Sequence, residues 1–542
     1  MKNKPTIKAI TAAISLLTVT AMLNMPAYAA QIDENTKVST KSQANDSESK
    51  DTNKDIPTSY SSLDLNIVNP VKKQKYNDCW TYSSLSVLET KIMKMGYSVN
   101  SLSAEHMNLW ATTKLNGKGW QRNILSEAYA FTTLGYLSSW QGGIEESDYE
   151  NLSEIYTPDT DTTNLVHYGT TAIKYLDGFT PDEIKSEIID NGSIYAAFSH
   201  NNNYENADRT AYFCPPGSPK SVGHAVAIVG WDDNYTRENF KEINGVLPEN
   251  DGAWLVKNSW GDYNSLHGYF WISYEDAFLF SDTYKYNFAI EDVKKITDDV
   301  KLMQNEIYGS TYEFKYLSDD SVTYLNLFNF SEGYNKLDSV IFESSSKGSD
   351  YEIYYVPADN KIPTADESEW TFLESGTIPY NGYINIDTND FDLPINYGAI
   401  AVKVSKTEES DNNSIGVGEW LKKSNGTYAF YNETVRGESF IYKNGEMIDA
   451  LDWYKAENQD ELGGTFVIKA VTNKTEVSVT MLGDIDLNSK LDVIDATELQ
   501  LSISGSTSLS AVQKLNADTN ADGKISVNDV TQLQIMIAEN DN

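Results

Sequence analysis

The stretch Val71-Lys-Lys-Gln-Lys-Tyr-Asn-Asp-Cys79-Trp80-Thr-Tyr-Ser-Ser-Leu85 places a single cysteine at the start of a strongly patterned segment. Apolar residues at steps of three and four predict an amphipathic helix, and they are Leu85, Leu88, Ile92 and Met95. Asn77 or Asp78 is expected to cap this helix and Gly96 to end it. Cys79 then lies in the first turn, where unpaired amides and the helix dipole lower a thiol pKa. We interpret Cys79 as a nucleophile, although a cysteine on such a helix is more often a small buried apolar residue.

The bulk composition restricts the class of protein. A chain of 542 residues is long enough for about three domains. Its formal net charge is -37, because 79 acidic side chains oppose 42 basic ones. Nucleic acid and anionic membranes are therefore not expected as partners, since phosphate binding needs clustered Lys and Arg.

The N-terminus predicts export from the cell. Lys2, Lys4 and Lys8 precede an apolar run over residues 9–23, and Ala27-Tyr-Ala29 supplies the small residues of a cleavage site. We predict a secretory signal peptide at residues 1–29 and, from its polar composition, a disordered linker at residues 30–56. No later segment is apolar over the roughly 18 residues that a membrane span needs.

The exported chain contains two cysteines, Cys79 and Cys214. Such a chain is not a disulfide-stapled scaffold, so its stability must come from hydrophobic cores. Two free thiols and a single bridge between them both remain open.

Hydrophobic patterns divide the following chain into two globular regions. Residues 57–287 start with helical patterns and continue with short apolar strands, whereas residues 291–475 alternate apolar and polar positions as in a β-sandwich. In the first region, helices are expected at 124–134 and 181–191 and strands at 194–198, 225–229, 253–256 and 269–272. In the second region, strands are expected at 351–356, 399–404 and 465–470.

The tail contains an internal repeat of two twelve-residue loops, the second of which begins 34 residues after the first. Each loop carries oxygen ligands at positions 1, 3, 5, 9 and 12 and a backbone carbonyl at position 7, a spacing that wraps a hard cation such as calcium. The predicted ligands are Asp484, Asp486, Asn488, Lys490, Asp492 and Asp495 in the first loop and Asp518, Asn520, Asp522, Lys524, Ser526 and Asp529 in the second.

A cysteine nucleophile needs a base, and the chain offers five histidines. His224 begins the apolar strand pattern Gly223-His-Ala-Val-Ala-Ile-Val-Gly-Trp231, so we select it as a base on a rigid element, although such a histidine is more often a core residue. Asn258, within Lys257-Asn-Ser-Trp-Gly261, follows the predicted strand at 253–256. Its amide can accept a hydrogen bond from the imidazole N–H.

In this order, Gln74 with Cys79-Trp80, Gly223-His224-Ala-Val and Lys257-Asn258-Ser-Trp-Gly261 resemble the papain-like cysteine peptidases. The resemblance implies an α+β peptidase with Cys79 as nucleophile, His224 as acid and base, and Asn258 as the partner that orients the imidazole. It also implies that Gln74 and the backbone N–H of Cys79 form the oxyanion hole.

Three further positions matter to this resemblance. Gly119 is expected to line the substrate groove. Gln74 lies one residue nearer to the cysteine than is usual in the family. Asp78 directly precedes the nucleophile, and its carboxylate should oppose thiolate formation.

The remaining chain resembles two other families. Residues 325–328, 350–354 and 437–440 resemble the lectin-like β-sandwich that follows secreted bacterial peptidases of this kind. Residues 482–541 resemble a dockerin, a small all-α module that folds around calcium and docks onto a cohesin of a scaffold protein. These resemblances imply two structural Ca²⁺ ions, no cofactor for catalysis, and a carbohydrate as a candidate partner of the β-sandwich.

We therefore expect a secreted cysteine endopeptidase that its dockerin attaches to an extracellular, cellulosome-like complex for polysaccharide breakdown. Two alternatives stay open. One is a binding or adhesion protein with a catalytically weak or inactive papain fold. The other is a polysaccharide-degrading component of the complex, for which the sequence nominates no carboxylate pair.

Overall fold

The computed structural model describes residues 56–540 apart from short gaps at 115–118, 129, 153–156, 158–159, 222, 282, 315–318, 331–333, 395, 420, 423–427, 432–434, 457–463, 475–480, 489, 508 and 510. The predicted signal peptide and nearly all of the predicted linker lie outside the described residues. Within the described part of the chain, no helix has both the length and the apolar character required to cross a bilayer.

The first region is α+β, as predicted. Its helices are α1 Cys79–Lys94, α2 Ala104–Trp110, α3 Ala130–Ser138, α4 Glu146–Leu152 and α5 Pro181–Asn191. Its strands are β1 Ser59–Ser61, β2 Gly119–Trp120, β3 Tyr168–Tyr175, β4 Ile194–Ser199, β5 Ala211–Tyr212, β6 Gly223–Asp232, β7 Ala253–Lys257, β8 Tyr269–Ser273 and β9 Phe288–Lys295. The helix predicted at 124–134 starts later, because the Asn123 side chain accepts from the backbone N–H of Leu125 and holds a turn there.

Helix α1 begins and ends near the predicted positions. Asp78 is the N-cap residue, but its side chain makes no capping bond. At the other end, Gly96 adopts φ 85°. The N–H groups of Gly96 and Tyr97 donate to the carbonyls of Met93 and Ile92 at 3.0 and 3.2 Å, which is a Schellman motif.

Strand β6 separates two hydrophobic cores because its side chains alternate between the two faces of the sheet. Ala225 and Ala227 belong to the core that contains α1, whereas Val226 and Ile228 belong to the core on the opposite face. Alanine on the α1 face lets the helix approach the strand closely. The N-terminus of α1 therefore lies beside the first residues of β6, where Ala225 N lies 3.4 Å from Cys79 Sγ.

The second region is a β-sandwich, again as predicted. Its strands are β10 Val300–Met303, β11 Tyr312–Phe314, β12 Ser321–Asn329, β13 Lys336–Ser344, β14 Asp350–Asp359, β15 Ile362–Pro363, β16 Thr371–Thr377, β17 Gly382–Asp392, β18 Tyr397–Ser405, β19 Ile415–Glu419, β20 Leu421–Lys422, β21 Tyr428–Tyr431, β22 Ser439–Lys443, β23 Glu446–Asp449, β24 Gly464–Phe466 and β25 Ile468–Asn473, with helix α6 at Ala450–Ala456. One layer has the order β15-β14-β18-β12-β22-β23, with β16 also paired to β14.

The other layer of the sandwich continues into the first region. Strand β17 pairs with β3, which joins the two regions in a twelve-stranded sheet of order β10-β25-β13-β17-β3-β9-β4-β6-β7-β8-β5, with β1 paired to β6. At this junction Gly382 and Tyr383 pair with Lys174 and Ile173.

The tail is helical, with α7 Val493–Ile503, α8 Ala511–Ala517 and α9 Val527–Asn540. Ile485, Leu499, Val530 and Leu533 belong to a small core made of tail residues alone. The predicted small all-α fold of this region is confirmed.

Candidate active site

The structure brings Cys79, His224 and Asn258 together at one end of the sheet. Strands β6 and β7 are antiparallel neighbours, with Ala227 opposite Lys257. The start of β6 and the end of β7 consequently lie side by side, which places His224 next to Asn258. Cys79, at the first residue of α1, reaches the same place because α1 packs on β6.

The Asn258 amide fixes the tautomer of the imidazole. Asn258 Oδ1 accepts from the backbone N–H of Ser259 at 2.8 Å, and Nδ2 donates to the Tyr263 hydroxyl at 3.0 Å. Oδ1 is thus an acceptor, so His224 Nε2, which lies 2.8 Å from it, must carry the proton. Nδ1 is left unprotonated in the neutral ring and is the nitrogen available to take the thiol proton.

Burial works against charge on either reactive group alone. Desolvation raises the pKa of the Cys79 thiol to about 11, and Asp78 adds to this effect by repulsion. Desolvation likewise lowers the pKa of His224 to about 4. The lowered thiol pKa expected at a helix N-terminus is therefore wrong for the lone thiol, since desolvation outweighs the backbone hydrogen bonds from Ala225 and Trp80, which lower the pKa. A thiolate forms favourably only when an adjacent imidazolium offsets that cost.

Gln74 lies beside the triad although its spacing to Cys79 is short. Its backbone N–H donates to Ser259 O at 2.6 Å, and its Oε1 accepts from the Ser259 hydroxyl at 2.7 Å. Its Nε2 donates one hydrogen to Tyr76 O at 2.7 Å, which leaves the second amide hydrogen for another acceptor. The residue after Asn258 thus anchors the glutamine.

Asp78 is held in a buried polar network. Its carboxylate accepts from the N–H of Tyr76 and from Asn108 Nδ2, each at 3.1 Å, and it is 2% exposed. Arg122 donates to Asn108 Oδ1 at 2.7 Å. Burial raises the pKa of Asp78, while these hydrogen bonds and Arg122 act in the opposite direction.

A groove of about 690 Å³ opens beside Cys79. Its aromatic wall includes Phe131, Tyr195 and Tyr286, and it is also lined by the charged residues Glu127, Lys220 and Lys285. Cys79 is partly exposed in this groove.

The structure does not bring Gly119 into this groove, so its predicted position there is corrected. Gly119 is buried and pairs with Tyr431 of the β-sandwich region. Its α-carbon also faces Lys114 and Thr112, which would lie 3.3 Å from an added Cβ. Because the Gly119 backbone is paired with β21, it is not free to pair with the backbone of a substrate.

Two aromatic residues support His224 and Asn258, and sequence reasoning missed one of them, Tyr263. Tyr263 binds the Asn258 amide, and Trp260 stacks on the His224 ring at 4.7 Å. Ser259 and Trp260 are within the motif that identified Asn258, but no pattern pointed to Tyr263. Cys214 is a buried free thiol, so the bridge to Cys79 left open above is absent from this structure.

The two loops of the tail share one internal hydrogen-bond pattern. In each loop the position-1 carboxylate accepts from the position-5 N–H at 3.0 Å, and the position-12 carboxylate accepts from the N–H groups of positions 3 and 9. In the first loop, carboxylate oxygens of Asp484, Asp486 and Asp495 lie within 4.8 Å of one another. Such an all-oxygen donor set suits a hard divalent cation.

Known families match the three regions in chain order. Residues 56–286 match the papain family cysteine protease, residues 302–472 the lectin like domain, and residues 482–538 the dockerin type I domain. Procathepsin L of Felis catus is 25% identical over 222 residues, which are 40% of this chain and 60% of the relative. The oryzain gamma chain of Oryza sativa subsp. japonica is 28% identical over 215 residues, 38% of this chain and 51% of the relative. The chain thus spans only 51% to 60% of the length of these curated relatives.

Solved structures cover more of the chain. The clostridial cysteine protease Cwp84 after propeptide cleavage is 35% identical, with a TM-score of 0.67 over 77% of this chain and 99% of that chain. A structure of the cysteine protease and lectin-like domains of Cwp84, a surface layer associated protein of Clostridium difficile, gives the same identity of 35% and TM-score of 0.67, over 77% of this chain and 89% of that chain. The present chain belongs to the papain family of cysteine proteases and continues with a lectin-like domain and a type I dockerin domain.

Proposed function

We propose that this protein is a secreted endopeptidase that hydrolyses peptide bonds through Cys79, His224 and Asn258. The observation that carries the proposal is the hydrogen bond from His224 Nε2 to Asn258 Oδ1 at 2.8 Å. That bond leaves Nδ1 unprotonated on a ring that lines the same groove as the thiol. Neither alternative, an inactive binding fold or a glycoside hydrolase, requires such an arrangement.

The reaction follows from these positions. His224 Nδ1 takes the thiol proton, and Cys79 Sγ attacks the carbonyl carbon of the scissile bond. The remaining amide hydrogen of Gln74 and the N–H of Cys79, which has no partner within the helix, are the donors for the oxyanion. The imidazolium then protonates the leaving amine as the C–N bond breaks, which leaves a thioester on Sγ. Nδ1 finally removes a proton from water, whose attack releases the acid and restores the thiol.

We propose that calcium folds the dockerin and that the folded dockerin binds a cohesin of a scaffold protein. Position-1 and position-12 carboxylates in both loops, Asp484, Asp495, Asp518 and Asp529, would hold the two ions. Like-charged carboxylates this close repel one another unless a cation lies between them. Attachment to a cell-surface or free cellulosome-like complex, after export directed by residues 1–29, is the corresponding localisation.

We also infer a carbohydrate site on the lectin-like domain. A groove of about 700 Å³ on the outer face of the sandwich is lined by Tyr354, Trp370 and Tyr442, together with charged groups such as Glu367 and Lys403. Aromatic rings beside hydrogen-bonding groups suit the mixed apolar and hydroxyl surface of a sugar. Loss of oligosaccharide binding in Trp370→Ala, with an unchanged unfolding midpoint, would support this assignment.

The peptidase proposal is tested by casein hydrolysis under reducing conditions with calcium. The signal-free protein should cleave casein, and its Cys79→Ala variant should not. Cleavage that survives in Cys79→Ala would contradict the proposal. If both folded proteins are inactive, the binding-protein alternative gains support. Sugar release from a polysaccharide by Cys79→Ala would favour the polysaccharide-degrading alternative.

A further inference from the structure

The loop between β4 and β5 contains a charged cluster that the proposed reaction does not use. His200 follows β4, Glu205 follows a short 3-10 turn at Asn202–Tyr204, and Arg209 lies just before β5. Glu205 Oε1 lies 3.0 Å from His200 Nε2, and Glu205 Oε2 accepts from Arg209 Nε at 2.8 Å. The Glu205 side chain is only 11% exposed. One nearly buried carboxylate therefore holds two side chains in fixed positions.

Both side chains pack on the ring that supports the catalytic imidazole. Trp260 stacks on His224 with ring centroids 4.7 Å apart and an interplanar angle of 26°. The His200 ring meets Trp260 edge-on at 4.8 Å, and the Arg209 guanidinium lies 5.5 Å from the centroid of the Trp260 ring. Both side chains therefore restrict the position of the Trp260 ring, which in turn packs on the His224 ring.

Arg209 also contacts the residue that orients Asn258. Its guanidinium lies 4.8 Å from the centroid of the Tyr263 ring, a distance at which a cation and an aromatic face attract each other. The Tyr263 hydroxyl accepts from Asn258 Nδ2 at 3.0 Å. The cluster of His200, Glu205 and Arg209 thus contacts Trp260, which packs on His224, and Tyr263, which binds Asn258.

The Arg209 backbone provides an independent observation. Its φ is 56°, in the left-handed region that a side chain bearing a Cβ rarely adopts. Asn206 holds this turn, since its carbonyl accepts from the N–H of Arg209 at 3.1 Å and its Oδ1 accepts from the N–H of Thr210 at 2.9 Å. Glycine would be the usual residue at this φ. The Arg209 backbone is therefore strained, while its side chain is held by Glu205.

We propose that Glu205 is a positioning residue for the His224–Asn258 pair and that it acts through His200 and Arg209. This inference rests on the proposed peptidase function. Its effect is geometric, because Glu205 holds the two side chains that pack on Trp260 and Tyr263. Loss of the cluster should let the imidazole turn away from the thiol, which slows the chemical step and leaves substrate binding in the groove intact.

The main test is Arg209→Gly, which removes the guanidinium and also relieves the backbone strain. We expect kcat for a peptide substrate to fall about 10- to 100-fold, with KM within about twofold and no loss of thermal stability. Glu205→Gln keeps the shape of the side chain but replaces one acceptor oxygen by an NH2 group, so it cannot hold both His200 and Arg209 and should lower kcat in the same way. The matched control is Asn244→Gly, an exposed residue of the same domain with φ 51° that contacts no triad residue. Its kcat should equal that of the wild type.

A second readout does not depend on peptide hydrolysis. Iodoacetamide alkylation of Cys79 at neutral pH, followed by mass spectrometry, reports whether His224 activates the thiol. Arg209→Gly should slow this alkylation several-fold relative to Asn244→Gly. If the wild type is alkylated readily but does not cleave peptides, the proposed peptidase function fails. The alkylation rates of Arg209→Gly and Asn244→Gly then still test the positioning role of Glu205. Equal kcat and equal alkylation in Arg209→Gly and wild type would overturn it.

Discussion

The junction between the peptidase and lectin-like domains differs from the dockerin in how its core is built. Tyr308 and Tyr383, which follow the peptidase region, belong to the same hydrophobic core as Trp110 and Tyr136 of that region. A Cβ added to Gly135 would lie 2.0 Å from Tyr308 O, so the two segments are in close contact. The dockerin core, by contrast, consists of dockerin residues. The dockerin therefore has a hydrophobic core of its own, whereas the peptidase and lectin-like domains share one core across their family boundary.

Truncation is the strongest test of this difference. Residues 56–296 keep every peptidase strand but lose the tyrosines that complete their core, so we expect no cooperative unfolding transition for this fragment. Removal of residues 476–542 should leave the main transition within about 2 °C of the full chain, because the dockerin core is separate. Calorimetry of both fragments checks this. A peptidase fragment as stable as the full chain would contradict the shared core.

A single substitution at the junction should have the next largest effect. Tyr383 is 1% exposed, and Tyr383→Ala should reduce the free energy of unfolding by about 3–5 kcal/mol. Leu533→Ala is the matched change in the dockerin, where the residue is fully buried. It should leave the main transition unchanged. Urea denaturation followed by near-ultraviolet circular dichroism separates the two outcomes, and equal shifts of the main transition would count against two independent cores.

The junction should also depend on pH. Glu187 contacts Lys174 at 2.8 Å, and Lys174 lies over Tyr380 of the lectin-like domain. Burial, followed by repulsion from Glu291, raises the pKa of Glu187 to about 7. The folded state thus binds the Glu187 proton more tightly than the unfolded state does. Protonation of Glu187 therefore stabilises the fold fully below about pH 4.5, and this stabilisation is lost as pH rises to about 7.

Glu187→Gln should flatten this dependence by about 1–3 kcal/mol across that range, while Lys174 keeps Glu291 as its partner at 3.0 Å. Unfolding free energies measured from pH 4.5 to 7.5 for both proteins provide the check. Parallel pH profiles of the two proteins would exclude Glu187 as the source of the pH dependence of stability.

The smallest expected effect is local to the peptidase side. Because Asp78 raises the pKa of Cys79 by repulsion, Asp78→Ser should lower the pH at which Cys79 is alkylated by up to about one unit. The unfolding transition should change less than in Tyr383→Ala, because this substitution removes polar contacts rather than a core ring. An unchanged alkylation profile would show that the Asp78 charge does not reach the thiol.

Local signals predicted the parts of the fold that short segments determine. Helix α5 has the predicted bounds because Thr180 and Glu183 form a capping box and Gly192 ends the helix at φ 87°. Motifs likewise predicted three residues that the structure brings together, since each lies at the end of one regular element. The sequence also identified the repeat of the two tail loops.

Long-range pairing was not predictable in the same way. Nothing local in residues 382–383 indicates that they pair with residues 173–174, and the same holds for Gly119, which pairs with Tyr431. Glu205 and Tyr263 escaped notice although their hydrogen-bond partners are only four or five residues away, because these residues lie in loops, where no helix or strand period shows which side chains meet. The thiol pKa was predicted in the wrong direction, since burial depends on packing that a helix pattern does not reveal.

The measurement that tests the central claim most directly is the pH dependence of Cys79 alkylation in the wild type and in His224→Ala. If the imidazole activates the thiol, the wild type should react readily at neutral pH. The variant should react only as the pH approaches the value of about 11 that burial gives the lone thiol. Equal rates at neutral pH in the two proteins would show that Cys79 and His224 do not act as a pair, and the proposed peptidase chemistry would then be contradicted.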